Sequence, residues 1–517
     1  MTPSIKSSPA IESLSILCRI STMEYAAMLI IGISLLLRLV FIGHSNLLVE
    51  EAYYWNYAQH LDFGYLDHPP MVAVLIKLTT SIFGTDEFSV RFASLLCWLL
   101  TAFFSFKLTN LLARGAGLYA VMLLAILPFF FLHSLVITPD QPLNACWSAT
   151  LYCLYRALLL NESKYWYGAG LWLGLGLLSK YTIVLLGPAT LLYLCLTPTA
   201  RSWFARKEPY IGALIAALLF TPVIYWNATH EWVSFLFQST RRLESTFSFS
   251  LHQLIGLLVL FLMPPGILGL WQLLKKNASN TVSIETKTKR FLQVFTLVPL
   301  IFFGVFSLSH GIKFNWIGPG LLAIIPWLAM LIKQIKDTRK VTLVVSWLIT
   351  AALLLIFYSG MMFVIIFGTP DIVYKKLFLK YIAWDDLTQQ VHTVASHIEI
   401  EKNTHPIIVP LDLYNIGSEL SFYQAKFMAH GDTHISYPII GRQLFGADSL
   451  MYRYWSPNTS LANKTLIIIS NDLNDFNNAR LKQQVIEKSP LQTLWSHSPM
   501  RGAKINPYYY QVVQMKP

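Results

Sequence analysis

The chain has 517 residues, of which 55% are hydrophobic and only 13% charged, against roughly 25% charged in a soluble domain. Apolar runs of about 18 or more residues recur along it, so an ordinary soluble globular protein is excluded and one large membrane domain is expected. The net charge of +12 does not imply nucleic acid, because Lys and Arg concentrate in short loops between apolar runs and no basic stripe with a nucleic-acid fold signature accompanies them.

In chain order, residues 1–23 form a tail and Met23 to Ile42 is the first run long enough to span. No small-residue cleavage site follows it, so a cleaved signal peptide is not expected. About eleven spans are predicted, near 24–43, 88–111, 117–134, 143–160, 166–179, 181–197, 209–226, 252–274, 291–308, 316–333 and 341–367. The 166–179 and 181–197 pair is short enough to read as one bent hairpin. Three basic loops fall on one side: Arg201, Arg206 and Lys207; Lys275, Lys276, Lys287, Lys289 and Arg290; Lys333, Lys336, Arg339 and Lys340. The positive-inside rule makes that side, with the N-terminal tail, cytoplasmic. The opposite face receives 44–87, 135–142, 227–251, 309–315 and 368–517, and merging the weak pair leaves this parity unchanged.

Residues 368–517 change character. Pro406 to Leu411, Thr465 to Ile469 and Tyr508 to Val513 read as strands, and Tyr414 to Ala425 as a helix, which predicts a small extracytoplasmic α/β domain. Cys18, Cys97, Cys146, Cys153 and Cys195 stand in apolar surroundings and read as small buried hydrophobes. The C-terminal domain has no cysteine and must fold without disulfides.

The outer loops carry the chemistry. The first holds Glu50-Glu51-Ala52-Tyr53-Tyr54-Trp55 and then Asp67-His68-Pro69-Pro70. A helix from Glu50 to Leu61 is expected to lie along the membrane surface, with Tyr54, Trp55 and Tyr57 at headgroup depth. An acid at such a boundary needs a partner or a water-filled cavity. The double proline fixes an extended turn that presents Asp67 and His68 rigidly, for a divalent cation, a phosphate, or simply as a turn. Asp140, between Pro139 and Pro142, is held close to the bilayer surface and is also a natural N-cap. Lys180, between two short apolar runs, needs an acceptor, such as a lipid phosphate, or else snorkels to the interface. Tyr225 to Gln238 reads as a second interfacial helix containing Trp226, followed by Arg241 and Arg242, outer-face cations suited to an anion. Lys313 and Asn315 occupy the last short loop. No phosphate-binding glycine loop, nucleophile elbow or zinc pattern is present. Acids, cations and aromatic helices on one outer face fit a membrane enzyme acting on an anionic lipid-linked substrate.

These residues resemble the GT-C superfamily of polytopic glycosyltransferases, which have about 11–13 spans. The branch is that of the lipid A 4-amino-4-deoxy-L-arabinose transferases (glycosyltransferase family 83) and the protein mannosyltransferases (family 39). Glu50-Glu51-Ala52-Tyr53-Tyr54 is similar to the family's Asp-Glu motif, Asp67-His68-Pro69-Pro70 to its acid-basic-Pro-Pro turn, Asp140 to its acid before proline, and Lys180 to its Gly-Leu-x-x-Lys. The resemblance covers roughly 24–370. It implies Glu50 and Asp140 at the reaction centre. It also implies His68 and Lys180 at a donor phosphate; the outer-face cations Lys313, Arg241 and Arg242 are expected to join them, and Glu51, Tyr54, Asp67, Trp226 and Asn315 to position substrate. Relatives allow a divalent metal at Asp67; no other cofactor is implied. Two residues depart from the family: Glu50 is one methylene longer than the usual Asp, and His68, in place of lysine, is only fractionally charged near neutral pH. The implied reaction is sugar transfer from a polyprenyl (undecaprenyl) phosphate to lipid A, lipopolysaccharide or another envelope acceptor. The setting is the periplasmic face of the cell inner membrane, among membrane lipids. A protein O-mannosyltransferase is the alternative within the family. A multi-pass transporter is the alternative outside it, and would place its charges nearer the bilayer midplane.

Overall fold

Each of the eleven apolar segments begins a helix in the computed structural model, which describes residues 22–239, 247–275, 284–334, 338–367, 383–456, 461–497, 502 and 504–517. Six helices are long and apolar enough to cross a membrane: Thr22–Phe41, Glu87–Leu112, Glu208–Thr229, Leu251–Leu274, Thr286–Phe306 and Val344–Phe363. The weak pair is helical in both halves. Tyr165–Leu177 is followed by Tyr181–Leu196, which bends by 117° into Pro198–Ala205. Two further segments break where proline forbids the preceding residue a helical conformation or removes a donor. Gly117–Ile126 stops at extended Leu127 before Pro128–His133, and Gly318–Ala323 gives way to Ile325–Lys333 around Pro326. Asp140–Leu159 carries polar residues on several faces and is buried along nearly its whole length, so it lies inside the bundle.

Glycine allows the closest approach between helices. A Cβ on Gly170 would lie 2.0 Å from the carbonyl oxygen of Gly212, and one on Gly212 would lie 2.5 Å from that of Trp166. The 165–177 and 208–229 helices therefore touch backbone to backbone, as small residues permit in membrane bundles. Arg38, fully buried in the first span, donates to Ser134 Oγ. Its guanidinium lies 4.3 Å from the Trp98 ring centroid and 4.6 Å from that of Phe131. Cys97, Cys146 and Cys153 are buried as expected, Cys195 is exposed, and Cys18 lies outside the described residues.

The bundle has two chemically distinct ends. At one, basic side chains close the short loops: Arg290 donates to Leu196 O at 2.6 Å, Lys289 to Lys275 O at 2.6 Å, and Lys333 to Arg114 O. At the other, Met71 N donates to Leu178 O at 2.9 Å and Gln238 to Asp67 O, tying the 44–87 loop to two others.

The C-terminal domain, described from residue 383, is built on five strands. β1 (Ile407–Pro410) runs parallel to β2 (Thr465–Ser470). β2 pairs antiparallel with β5 (Lys504–Met515), which also pairs with β3 (Val485–Lys488) and β4 (Gln492–His497). The expected strands and helix are present, and the 384–402 helix, β3 and β4 are additions. Asp412 accepts hydrogen bonds from Tyr414 N, Asn415 N and Ile416 N and so starts the Asn415–His430 helix. That helix packs on Val49–Gln59. Trp55 meets Phe422 edge-to-face at 5.3 Å, Asn56 Nδ2 donates to Ser418 O at 3.2 Å, and Lys426 pairs with Glu87 at 2.7 Å.

Three expectations are corrected here. Tyr54, Trp55 and Tyr57 do not present their rings to lipid headgroups; all three are buried within the protein, where neighbouring aromatic side chains, Phe422 and Trp455 of the C-terminal domain among them, pack on them. The loop 44–87 also contains an unexpected helix, Met71–Phe83. The second surface helix is in fact two pieces. The 208–229 helix runs on to Thr229, Glu231 and Trp232 turn with φ of 55° and 58°, and Val233–Gln238 follows.

Glu419, on the docking helix, is fully buried, and neither carboxylate oxygen has a hydrogen-bond partner among the described residues. Burial first, and then the nearby Glu51, hold its carboxyl well above the ordinary glutamate value of 4.5; Arg91 acts the other way, and Glu87 and Glu50 add to the rise. The stability contributed by the neutral acid is therefore complete below 4.5 and is lost as pH rises through the folded value, with a slope of up to about 1.4 kcal/mol per pH unit. Glu419→Gln, which mimics the neutral acid, should flatten the fall in melting temperature as pH rises above about 5. Thermal unfolding of the purified chain reads this directly, and parallel curves for variant and wild type would count against it.

Candidate active site

Every residue from Val49 to Ala58 is buried except Glu50. The two consecutive acids thus part company, as successive positions on a helix point about 100° apart. Glu51 is fully buried in a bidentate pair with Arg91 at 2.7–3.0 Å. It also accepts from Leu48 N and Ile137 N at 2.9 Å each, and Arg91 reaches on to the carbonyls of Ile42, Ser45 and Asn46. The assignment of Glu51 to substrate positioning does not fit this geometry, since these bonds to protein donors make it a staple between the 44–87 and 135–142 loops. Glu50 is left open.

Asp67 lies behind the same helix. Its carboxylate accepts from the Tyr57 hydroxyl and, at 3.5 Å, from Tyr53. Burial raises its pKa; the Tyr57 hydrogen bond and Lys313 pull the other way. Pro70 has a helical backbone and starts the 71–83 helix directly after the turn, instead of the extended conformation expected there. Trp226 donates its indole N–H to Asp62 at 2.8 Å and stacks on His230 at 4.1 Å. A Cβ on Gly64 would lie 3.0 Å from its ring. Trp226 therefore anchors the 60–65 turn.

Asp140 is 1% exposed and does not cap its helix. Its oxygens accept from Lys180 Nζ at 2.7 Å and from Asn315 Nδ2 at 2.6 Å. Three loops distant in sequence thus meet on one carboxylate. Beside it lies a cavity of about 280 Å³ lined by two basic side chains, His68 and Lys180, and largely by apolar or aromatic ones, including Phe302, Phe303, Phe306 and Trp316. The His68 ring stands edge-on to Tyr54 at 5.7 Å. Tyr54 is the hub: burial, then Asp67, Tyr414, Glu50 and Asp140, raise its pKa well above the ordinary tyrosine value, so it stays a neutral O–H amid three acids. Tyr414, in the C-terminal domain, feels Glu50 and Asp67 as well and packs 4.6 Å from Tyr53. Sequence reasoning named no residue of that domain, and Tyr414 carries no local signal that would have revealed it. His133, stacked on Phe129 at 4.1 Å and within electrostatic reach of Asp140, was missed as well. Arg241 and Arg242 lie outside the described residues.

A metal at Asp67 does not fit. Among the described residues no three His, Cys, Asp or Glu side chains gather to hold an ion, and the Asp67 carboxylate is occupied by tyrosine hydroxyls.

Residues 67–226, which contain the Pro-Pro turn, Asp140 and Lys180, match the family model described as dolichyl-phosphate-mannose-protein mannosyltransferase. A lipid A galacturonosyltransferase, RgtD, from Rhizobium johnstonii is 27% identical over 191 residues, which are 36% of this chain. The match spans only 40% of that relative's length. Among solved structures, ArnT from Cupriavidus metallidurans in the apo state is similar over 94% of this chain and 97% of that one, with a TM-score of 0.60 at 13% identity. The same protein bound to undecaprenyl phosphate gives a TM-score of 0.60 at 14% identity, with the same coverage. The fold is that of a multi-pass membrane protein carrying a soluble domain over one end of its helix bundle. Over residues 67–226 the chain is thus similar in sequence to a family of lipid-linked sugar transferases, and over nearly its whole length it shares the fold of ArnT.

Proposed function

We propose that the chain transfers a sugar from a polyprenyl (undecaprenyl) phosphate to an envelope acceptor of the lipid A or lipopolysaccharide type, on the periplasmic face of the cell inner membrane. The observation that carries this reading is the Asp140–Lys180–Asn315 junction beside a cavity that is basic at His68 and Lys180 and greasy elsewhere. A phosphate on an isoprenoid chain has that same division of charge and apolar surface. The lipid A transferase relative and the undecaprenyl phosphate bound to ArnT support the same classes of acceptor and donor.

In this mechanism the acceptor oxygen attacks the anomeric carbon while the bond to the phosphate oxygen breaks, inverting the centre and releasing polyprenyl phosphate. The leaving group is already an anion, so it needs positive charge more than an acid. Lys180 supplies it, held by Asp140, with His68 and Lys313 close by. Glu50, open to the site, takes the proton of an acceptor hydroxyl; a phosphate acceptor has none to lose, and Glu50 then only positions it. Glu50→Gln should lower transfer in membranes by about 10²–10⁴-fold for a hydroxyl acceptor while expression and melting temperature stay unchanged. Near-normal turnover of this variant would falsify the role. The matched family model supports one rival acceptor, a protein hydroxyl. Mass spectrometry of lipid A, core and envelope proteins from strains with and without the gene separates the two.

A further inference from the structure

Tyrosines crowd the junction between the 44–87 loop and the C-terminal domain, and most spend their hydroxyls inside the protein. Tyr53 and Tyr57 donate to Asp67. Tyr65 donates to Tyr57 O at 3.1 Å and Tyr423 to Glu87 at 3.0 Å, and Tyr452 shares a hydrogen bond with Ser418 at 3.1 Å. Buried polar groups are nearly always paired in this way. Tyr54 and Tyr414 differ. Neither phenol oxygen has a hydrogen-bond partner among the described residues, and neither is sealed off from outside. Their rings are packed all the same: Tyr54 is buried, and Tyr414 is half-buried with its ring 4.6 Å from that of Tyr53.

The two exceptions stand together around the open acid. Glu50, Tyr53 and Tyr54 share one face of the Val49–Gln59 helix, as positions i, i+3 and i+4 do. Tyr414 packs on Tyr53 from the opposite domain, and its N–H donates to Asp412 at 3.3 Å, which fixes its main chain. Both phenols lie within electrostatic reach of Glu50 and Asp67, and Tyr54 within reach of Tyr414. Tyr54 also reaches Asp140 and stands edge-on to His68, which lines the basic cavity; it therefore faces the donor phosphate. Tyr414 arrives from the other side.

A hydroxyl brings one O–H and two lone pairs, whereas a phosphate brings acceptor oxygens and negative charge. Glu50 is open and forms no ion pair among the described residues, so a phosphate beside it would meet like charge. A hydroxyl fits: its proton goes to Glu50, one lone pair takes a hydrogen bond from Tyr414, and the other is left for the anomeric carbon. We infer that Tyr414 carries an acceptor subsite into the active site from the C-terminal domain, and that the group it holds is a sugar hydroxyl rather than a phosphate. This rests on the transferase reading above. In the step, the acceptor oxygen bonds to the anomeric carbon, the bond from that carbon to the phosphate oxygen breaks with its electron pair, and the proton passes to Glu50. Tyr414 keeps its own proton, because burial first, and then Glu50 and Asp67, hold it neutral.

The test uses the full chain in membranes of a strain lacking the gene. The membranes supply the donor, and lipopolysaccharide extracted from that strain is the acceptor. The sugar added should be an O-glycoside that survives the mild acid that cleaves a glycosyl phosphate. Tyr414→Phe keeps the ring on Tyr53 and removes only the hydroxyl. It should lower kcat/KM for lipopolysaccharide by roughly five- to tenfold, with undecaprenyl phosphate binding and melting temperature unchanged. Three results overturn the inference and leave the transferase reading standing: a sugar released by mild acid, kcat/KM in the variant within about twofold of wild type, or an equal fall in undecaprenyl phosphate binding. If wild type adds no sugar to the lipopolysaccharide, that reading fails and the inference falls with it.

Discussion

Asp140→Asn is expected to lower sugar transfer by about 10²–10³-fold, the scale of losing one preorganised electrostatic group. The neutral amide no longer holds the Lys180 ammonium in place, and the donor phosphate meets a cation that has lost its anchor. The substitution also leaves a lysine, only 10% exposed, without its counter-charge, and breaking a buried pair costs about 3–5 kcal/mol. Lower stability alone could therefore mimic lost chemistry. The double variant Asp140→Asn/Lys180→Met separates the two: melting temperature should recover while transfer does not. Transfer within tenfold of wild type in the single variant, measured per folded molecule, would remove Asp140 from the reaction centre.

The neighbouring acid should behave in the opposite sense. Glu51→Ala is expected to cost about 3–5 kcal/mol of stability, because it strands Arg91, 2% exposed, and also the amides of Leu48 and Ile137. Fluorescence-detected size exclusion after heating would show an early loss of the monodisperse peak. Glu51→Ala/Arg91→Met should restore much of it by removing the orphaned charge. Equal melting temperatures for Glu51→Ala and Glu50→Gln would mean the buried pair does not hold the two loops together. The prediction is sharp because the two residues are adjacent and chemically identical, yet only one has been given to the fold.

Both arguments depend on contacts between segments far apart in the chain, which is where the sequence ran out. Composition and the spacing of apolar runs determined the membrane class, the helical segments and the gathering of basic loops at one end, since hydrophobic length and charge placement are local quantities that a bilayer reads directly. Local chemistry was legible too: the double proline after His68 and the β-rich strands of the C-terminal domain depend on neighbouring residues alone. Only the tertiary structure decided which of two successive glutamates stays open, that Asp140 meets Lys180 and Asn315, and that Tyr414 stands near Glu50. It also decided that Tyr54, Trp55 and Tyr57 face a protein domain instead of lipid headgroups. An aromatic helix satisfies its apolar side chains equally well against a membrane or a domain, so its local sequence cannot specify the partner. The docking of residues 415–430 does.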